Sequence, residues 1–303
     1  MASTRGVKQR IKAAKNITQI TKAMEMVAAA KMRRSQNKAL SSRPYSTKLL
    51  SILSQMSTQI NKNLHPFLRH NKNATNNILL IVVSSDRGLC GALNTNLFRG
   101  IEEFMEQVSA ERYTMPLSYE YITVGRKARE FILKSGKALH AEFTNFPERP
   151  TFSDTLPISK LAIEGFKTCR FREAYIVYMD FVSTIKQIVK VDRLLPIVKK
   201  DISDISKEQP QIEPGHFIPR YLFEPNSEEV LNWLLPYFIE TQIFQKILES
   251  QASEHSARMV TMRNASENAK EVVAELSLMY NRQRQQNITN QIAEIVTSTM
   301  ALQ

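Results

Sequence analysis

From Tyr237 to Gln303 the chain runs for 67 residues without a glycine or a proline. As one helix rising 1.5 Å per residue, this stretch would reach about 100 Å, more than a compact domain of this chain's size can bury. Ala265, Ala269, Val272, Leu276 and Met279 recur at four-three spacing, the seam of a coiled coil. Ile288, Ile292, Ile295, Thr299 and Leu302 repeat that spacing, and the seam shifts across the polar stretch Asn281 to Asn287. Alanine and polar residues make a poor core by themselves, so this helix requires a partner.

The nearest partner is the other end of the chain. Val7 to Arg43 also lacks glycine and proline and is rich in Ala, Lys, Met, Gln and Arg, all strong helix formers. Ala13, Ile17, Ile20, Met24 and Val27 mark its seam. The helix is expected to end near Arg43–Pro44, because the residue before a proline disfavours the α region. Residues 1–60 and 226–303 are therefore assigned to a coiled coil of the N- and C-terminal helices.

Between them, residues 75–200 read as an α/β globular domain of Rossmann-like type. Asn77 to Ser84 is a continuous apolar, β-branched run, as in a strand covered on both faces. Asp86 to Gly91 then turns the chain into a helical stretch, Asn94 to Gln107. Tyr119 to Val124 is a second strand, followed by a helix over Arg126 to Lys134. Ala174 to Met179 and Lys186 to Leu195 are two further strands, expected to pair. Alternating strands and helices predict a mainly parallel sheet with right-handed crossovers. Residues 201–225, with Pro210, Pro214, Pro219 and Pro225, form a proline-rich linker.

Charge is unevenly placed. The first 43 residues hold eleven basic side chains and one acid, Glu25, and so supply +10 of the net +12. A basic arm of this kind meets phosphates, an anionic membrane surface or an acidic protein surface, or is a solvated helix face. The longest apolar runs, such as Ile78 to Val83, fall far short of the roughly 20 residues a membrane helix needs. Met1 to Arg10 carries no signal for secretion, and Cys90 and Cys169 are expected to be reduced and inert.

Catalytic patterns are missing from the sequence. His65, His70, His140, His216 and His255 are scattered without helix-spaced pairs or a carboxylate cluster. The turn Ser84 to Gly91 sits where doubly wound folds place phosphates, but it lacks the Lys-Ser/Thr of a P-loop and the three-glycine fingerprint. Gly88 and Gly91 are expected to permit a tight turn there, with Asp86 and Arg87 making polar contacts nearby. A nucleotide-dependent enzyme is thus disfavoured. A nucleic-acid-binding arm would interleave aromatic residues with its cations, and the first 43 residues contain none.

Four blocks, in order, resemble one family. They are ITKAMEMVAAAKMRR (Ile20 to Arg34), SSDRGLCGA (Ser84 to Ala92), ASEHSARMVTMRNASENA (Ala252 to Ala269) and LMYNRQRQQNITNQIAEIV (Leu278 to Val296). Together they look like the gamma subunits of F-type ATP synthases, in bacterial style, a likeness that covers nearly the whole chain. The resemblance implies a non-catalytic central rotor, one copy per complex. Its antiparallel coiled coil would turn inside a ring of three α and three β subunits, and its globular domain would join the epsilon subunit and the c-ring. ATP, ADP, phosphate and magnesium would be handled by the α and β subunits, with no cofactor on this chain. Rotation driven by proton or sodium-ion flow would couple the membrane sector to ATP synthesis or hydrolysis, the proton-translocating form being the expected one. The implied location is peripheral, on the cytoplasmic face of the bacterial plasma membrane, the matrix side of the mitochondrial inner membrane being the alternative. By family position, Met24, with Lys22 and Arg34, lies near acidic β-subunit loops, and Arg258, Arg284, Gln285 and Thr289 contact the β subunits. Gln286 and Asn287 stand where the family usually has small residues. The end, Met300 to Gln303, would sit in an apolar bearing.

Overall fold

Strand β1 (Asn77–Val83) has no polar face to show to water, and it forms the middle of the sheet. Leu79, Ile81 and Val83 point into one core, and Ile78, Leu80 and Val82 into another. β2 (Ser118–Val124) and β4 (Glu173–Phe181) flank β1 in parallel. β3 (Ala138–Phe143) adds in parallel outside β2, and β5 (Gln187–Leu195) closes the other edge antiparallel to β4. The order is β3-β2-β1-β4-β5. The computed structural model describes residues 4–59, 65–69, 76–111, 117–197, 224 and 226–300. The proline-rich linker expected over 201–225 lies, apart from Glu224, outside the described residues.

Helices cover both faces. α2 (Leu93–Glu111) and α3 (Arg126–Lys134) pack on one side through Leu97, Ile101, Ala128 and Ile132. On the other side lie α4 (Phe152–Lys167), the far end of α1 (Thr4–Gln59) and the first turns of α5 (Ser227–Met300). β3 and α4 were not visible in the sequence. β3 is an edge strand of half-exposed residues, among them His140 and Glu142, and its register slips beside Tyr121/Ile122. α4 contains Pro157 and Gly165, and its start is marked by Asp154, which accepts the Thr151 backbone N–H at 2.7 Å.

Both long helices pass through prolines, which for the first corrects an expectation. α1 does not end at Arg43: it continues through Pro44 to Gln59. α5 begins at Ser227, ten residues ahead of Tyr237, and includes Pro236. An interior proline costs about 3 kcal/mol. Beyond Pro44, Leu49 and Leu53 are buried in the core, each contributing about 1.5–3 kcal/mol, and Tyr45 meets Tyr237 edge-on at 5.8 Å. Burial therefore offsets the lost hydrogen bond. Around Pro236, Leu234, Leu235, Phe238 and Ile239 do the same.

The chain divides into two compact units, Met1–Ala30 with Arg258–Gln303, and Lys31–Ala257. The first is a pair of helical segments. Its buried positions are Val7, Ala14 and Ala28 on α1 and Met262 and Ser266 on α5, with half-buried Ile11, Thr18, Thr21, Ala269, Val273, Leu276, Tyr280 and Gln283 completing the rows. The four-three spacing holds, but the α1 seam is displaced by one residue from the expected one. Ala14, Thr18, Thr21 and Ala28 face inward, and Ile17, Ile20 and Val27 are more than half exposed. The threonines fit because each hydroxyl satisfies itself, Thr18 donating to the Ala14 carbonyl at 3.0 Å and Thr21 to that of Ile17 at 2.9 Å. Small side chains line the inside, and the larger apolar ones are left outside. On α5, Ala269 and Leu276 lie in the seam as expected, but Val272 and Met279 are exposed.

Candidate functional site

The helical pair offers a surface rather than a cleft. Ser266 Oγ approaches the Thr18 carbonyl at 3.5 Å, which sets an antiparallel register. Six residues further along α1 and six back along α5, Met24 comes opposite about residue 260, within a turn of Arg258. Both side chains are half-buried. Lys22 pairs with Glu25 at 2.9 Å on the exposed side, a link contributing at most about 0.5 kcal/mol. Glu25 is thereby occupied, and Arg5, Lys8, Arg10, Lys12 and Lys15 present their cations to solvent.

Counting the same register the other way, Thr4 falls opposite about residue 280. Residues 284–298 and Met300 are exposed on every side of the helix, which corrects the expected second seam: Ile288, Ile292 and Ile295 pack into no core among the described residues. The Thr299 side chain and Leu302 lie outside the described residues. Arg284 and Gln285 are exposed, and the Thr289 hydroxyl donates to the Gln285 carbonyl at 3.0 Å. Of the expected bearing, Met300 is described and is 72 % exposed. Such a helix end is marginal alone in water, because propensity without a packed face rarely holds one. The exposed apolar residues mark a surface for protein contact.

In the second unit, the turn after β1 sits at the topological switch point, with β2 on one side of β1 and β4 on the other. At the start of α3, the N–H groups of Arg126, Lys127 and Ala128 go to Asp86 Oδ1 at 2.9 Å, the Ser85 carbonyl at 3.1 Å and Ser84 Oγ at 2.7 Å. Asp86 also accepts from Asn145 N and Phe146 N, both at 3.1 Å, so one carboxylate ties three segments together. Gly125 makes the approach possible: its φ is +98°, and a Cβ there would lie 2.2 Å from the Ser84 carbonyl oxygen. Gly91 also has positive φ, 62°, and follows Leu89 at 64°. Gly88 differs from expectation, since a Cβ at that position would meet nothing within 4 Å. Arg87, Gly88 and Leu89 are exposed at the tip.

Arg87 and the basic face of α1 converge on Glu148. Its carboxylate is held below the usual range first by the hydrogen bond from Lys31, against a small effect of burial, and then by the charges of Lys31, His255 and Arg87. Arg34 lies one turn beyond Lys31 and lines the same hollow. Sequence reasoning singled out Arg34 and Arg87 separately, and the fold brings their neighbourhoods together through a glutamate that no motif marked. A second feature it missed fastens α5 to the β4–β5 hairpin. Lys246 Nζ reaches Asp192 Oδ2 at 2.9 Å and donates to Tyr178 Oη at 2.8 Å, while Tyr178 donates to Asp192 at 3.0 Å. Ser253 and Ser256 add bonds to the Met179 and Thr184 carbonyls, at 2.9 and 2.8 Å. Burial with neighbouring carboxylates pushes the Tyr178 phenol far above its ordinary range, so it acts here only as a neutral hydroxyl. Among the described residues, no group of three His, Cys, Asp or Glu could hold a metal ion.

Known proteins share this architecture. A family model described as ATP synthase matches residues 3–302. The chain is 40% identical over 302 residues to the ATP synthase gamma chain of Roseiflexus sp. (strain RS-1), covering 100% of this chain and 99% of that one. It is 39% identical over 303 residues to that of Chloroflexus aurantiacus (strain ATCC 29366 / DSM 635 / J-10-fl), with the same coverage. Among solved structures it resembles a chain of the Euglena gracilis mitochondrial ATP synthase, with a TM-score of 0.65 and 20% identity over 99% of this chain and 94% of that one. It also resembles a chain of the Tetrahymena thermophila central stalk and c-ring assembly, with a TM-score of 0.57 and 23% identity over 82% and 99%. At those identities the likeness concerns the fold, whereas the full-length match to the gamma chains shows the family. The chain belongs to the gamma-chain family of ATP synthases.

Proposed function

We propose that this chain is the central rotor of an F-type ATP synthase, coupling proton flow through a membrane sector to ATP synthesis or hydrolysis on a ring of α and β subunits. The observation that carries the reading is the exposed stretch of α5 from Arg284 to Ser298, with Met300, continuous with a two-helix surface that is basic and apolar at once. A helix end of this kind requires an enclosing sleeve, and a ring of three α and three β subunits around one copy of the chain supplies it. Ile17, Ile20 and Val27 would meet apolar parts of that ring, and the cations of α1 its acidic loops. The chain does no bond chemistry: differential contact with each β subunit biases it among conformations as the rotor turns. Nucleotide, phosphate and magnesium belong, on this reading, to the α and β subunits.

Residues 1–60 and 226–303 would form the shaft and residues 75–200 the foot that joins the epsilon subunit and the c-ring, with 201–225 linking them. Met24, Lys22, Arg34, Arg258, Arg284, Gln285 and Thr289 are the proposed contacts with the β subunits. Among the described residues no helix is long and apolar enough to cross a membrane. Attachment would then be peripheral, through the complex, on the cytoplasmic face of a bacterial plasma membrane. Co-purification tests the reading. A tagged chain drawn from its native membranes should bring α and β subunits with it, and membranes lacking the chain should lose ATP-driven ion transport. Recovery of the tagged chain without α and β subunits would refute it.

A further inference from the structure

Both long helices run unbroken from one compact unit into the other, so a twist applied to either unit travels along them. Within the second unit that twist has to pass between helix and sheet. Ile243 and Ile247 of α5 are buried in the core beside β1 and β4, but apolar contact is non-directional. A hydrogen bond, by contrast, weakens steeply away from its preferred length and angle, so bonds of this kind resist rotation and sliding. One set reaches the irregular segment after β3. Lys31 engages Glu148, Lys38 donates to the Pro150 carbonyl, and Gln251 Nε2 donates to the Pro147 carbonyl at 3.0 Å. Pro147 and Glu148 are exposed, and an ion pair to an exposed carboxylate outside regular structure yields easily.

A second set reaches the β4–β5 hairpin, whose strands pair from Ala174 to Phe181. Lys246 Nζ, Asp192 Oδ2 and Tyr178 Oη form a closed triangle. Its sides are 2.9 Å from Lys246 to Asp192, 2.8 Å from Lys246 to Tyr178 and 3.0 Å from Tyr178 to Asp192. The three vertices stand on α5, β5 and β4, so turning α5 about its axis or sliding it lengthens at least one side. Two turns further along α5, Ser253 donates to the Met179 carbonyl, and Ser256 donates to that of Thr184 at the hairpin's end. From Lys246 to Ser256 these bonds fasten about 15 Å of helix to the hairpin. We propose, on the rotor reading above, that this face of α5 is the joint at which torque passes between shaft and foot. The β4–β5 hairpin, rather than the segment after β3, bears the load, with Lys246, Tyr178, Asp192, Ser253 and Ser256 as positioning residues for the coupled reaction.

Membrane vesicles carrying the whole complex, with the chain unaltered or as a variant, test the joint. The readout is ATP-driven proton uptake per ATP hydrolysed, which a mere loss of assembled complex does not move, since both quantities then fall together. Lys246→Met/Asp192→Leu is the informative variant, because an apolar pair restores stability but not direction. Its urea unfolding should lie near that of the unaltered chain, while its proton uptake per ATP should fall at least about twofold. Ser253→Ala/Ser256→Ala removes two bonds without touching a charge and should lower the ratio as well; it decides the matter if the first variant does not fold. Gln251→Leu, which cuts a bond of the other set, should leave the ratio as it is. A ratio that recovers together with stability from Lys246→Met to the double variant, a normal ratio in the serine variant, or an equal fall in Gln251→Leu would overturn the joint. If the unaltered chain supports no ATP-driven uptake, the rotor reading itself fails and the joint falls with it.

Discussion

Replacing Lys246 with methionine should cost about 2–3 kcal/mol of stability. The side chain is 18 % exposed, and its ammonium lies 2.9 Å from Asp192, 3.7 Å from Glu249 and 2.8 Å from the fully buried Tyr178 hydroxyl. Methionine fills the volume without the charge, so what is lost is the compensation of two carboxylates. Breaking a fully buried pair costs about 3–5 kcal/mol. Asp192 retains 38 % exposure, and water reaching it reduces the penalty. For a unit of this size, a loss of 2–3 kcal/mol lowers the melting temperature by about 4–12 °C. Burial by itself would lower the Lys246 pKa, but the charges of Glu249 and Asp192 outweigh it and raise it above the ordinary value. A raised pKa contributes stability that is complete below the unfolded lysine value, about 10.4, and is lost as pH rises through the folded value. An assay at pH 7.5 therefore measures the whole effect. Urea unfolding can be followed by Trp233, the single tryptophan, stacked on Tyr237 at 5.4 Å. The double variant Lys246→Met/Asp192→Leu should recover most of the loss, because an apolar pair leaves less charge uncompensated. A cost below about 1 kcal/mol for the single variant, or additive effects in the cycle, would refute the reasoning.

Three further outcomes follow from the same geometry. Asp86→Ala removes the acceptor for three backbone N–H groups and should destabilise the second unit by about 2–4 kcal/mol in thermal unfolding, with Asp86→Asn costing less. Gly125→Ala should cost at least about 3 kcal/mol, because it combines a positive φ with a clash against backbone, whereas Gly88→Ala should stay within about 0.5 kcal/mol. Burial, with the charge of Lys167, lowers the pKa of His65, whose Nδ1 accepts the Phe67 N–H at 3.1 Å. Protonation thus favours the unfolded chain, so stability should fall as pH drops below about 6.5. His65→Asn, which can still accept that N–H, should flatten the dependence when unfolding is compared at pH 5.5 and 7.5.

Much of the architecture was legible because it rests on local physics. The apolar run of β1, the helical stretches of α2 and α3, and the two long end helices follow from periodicity and composition, which act within a few residues along the chain. The rest required neighbours distant in sequence. Pro44 read as a helix end, and only the burial of Leu49 and Leu53 shows why the helix continues. The α1 seam was read one residue away because hydrophobicity selects Ile17 and Ile20. Close packing of two helices selects the smaller Ala14, Thr18 and Thr21, whose hydroxyls their own helix satisfies.

The same division applies to function. By itself the sequence determined that two long helices needed partners, that the positive charge lay at one end, and that the turn after β1 lacked a phosphate-binding motif. The tertiary structure alone decided which face of α1 stays exposed, that Asp86 ties the start of α3 to the segment after β3, and that Glu148 lies within the fields of Lys31, Arg87 and His255. Those residues are separated by scores of positions along the chain, and electrostatic and packing energies depend on distance in space. No pattern along the chain encodes it, so the clusters became visible only once the sheet and its covering helices were in place.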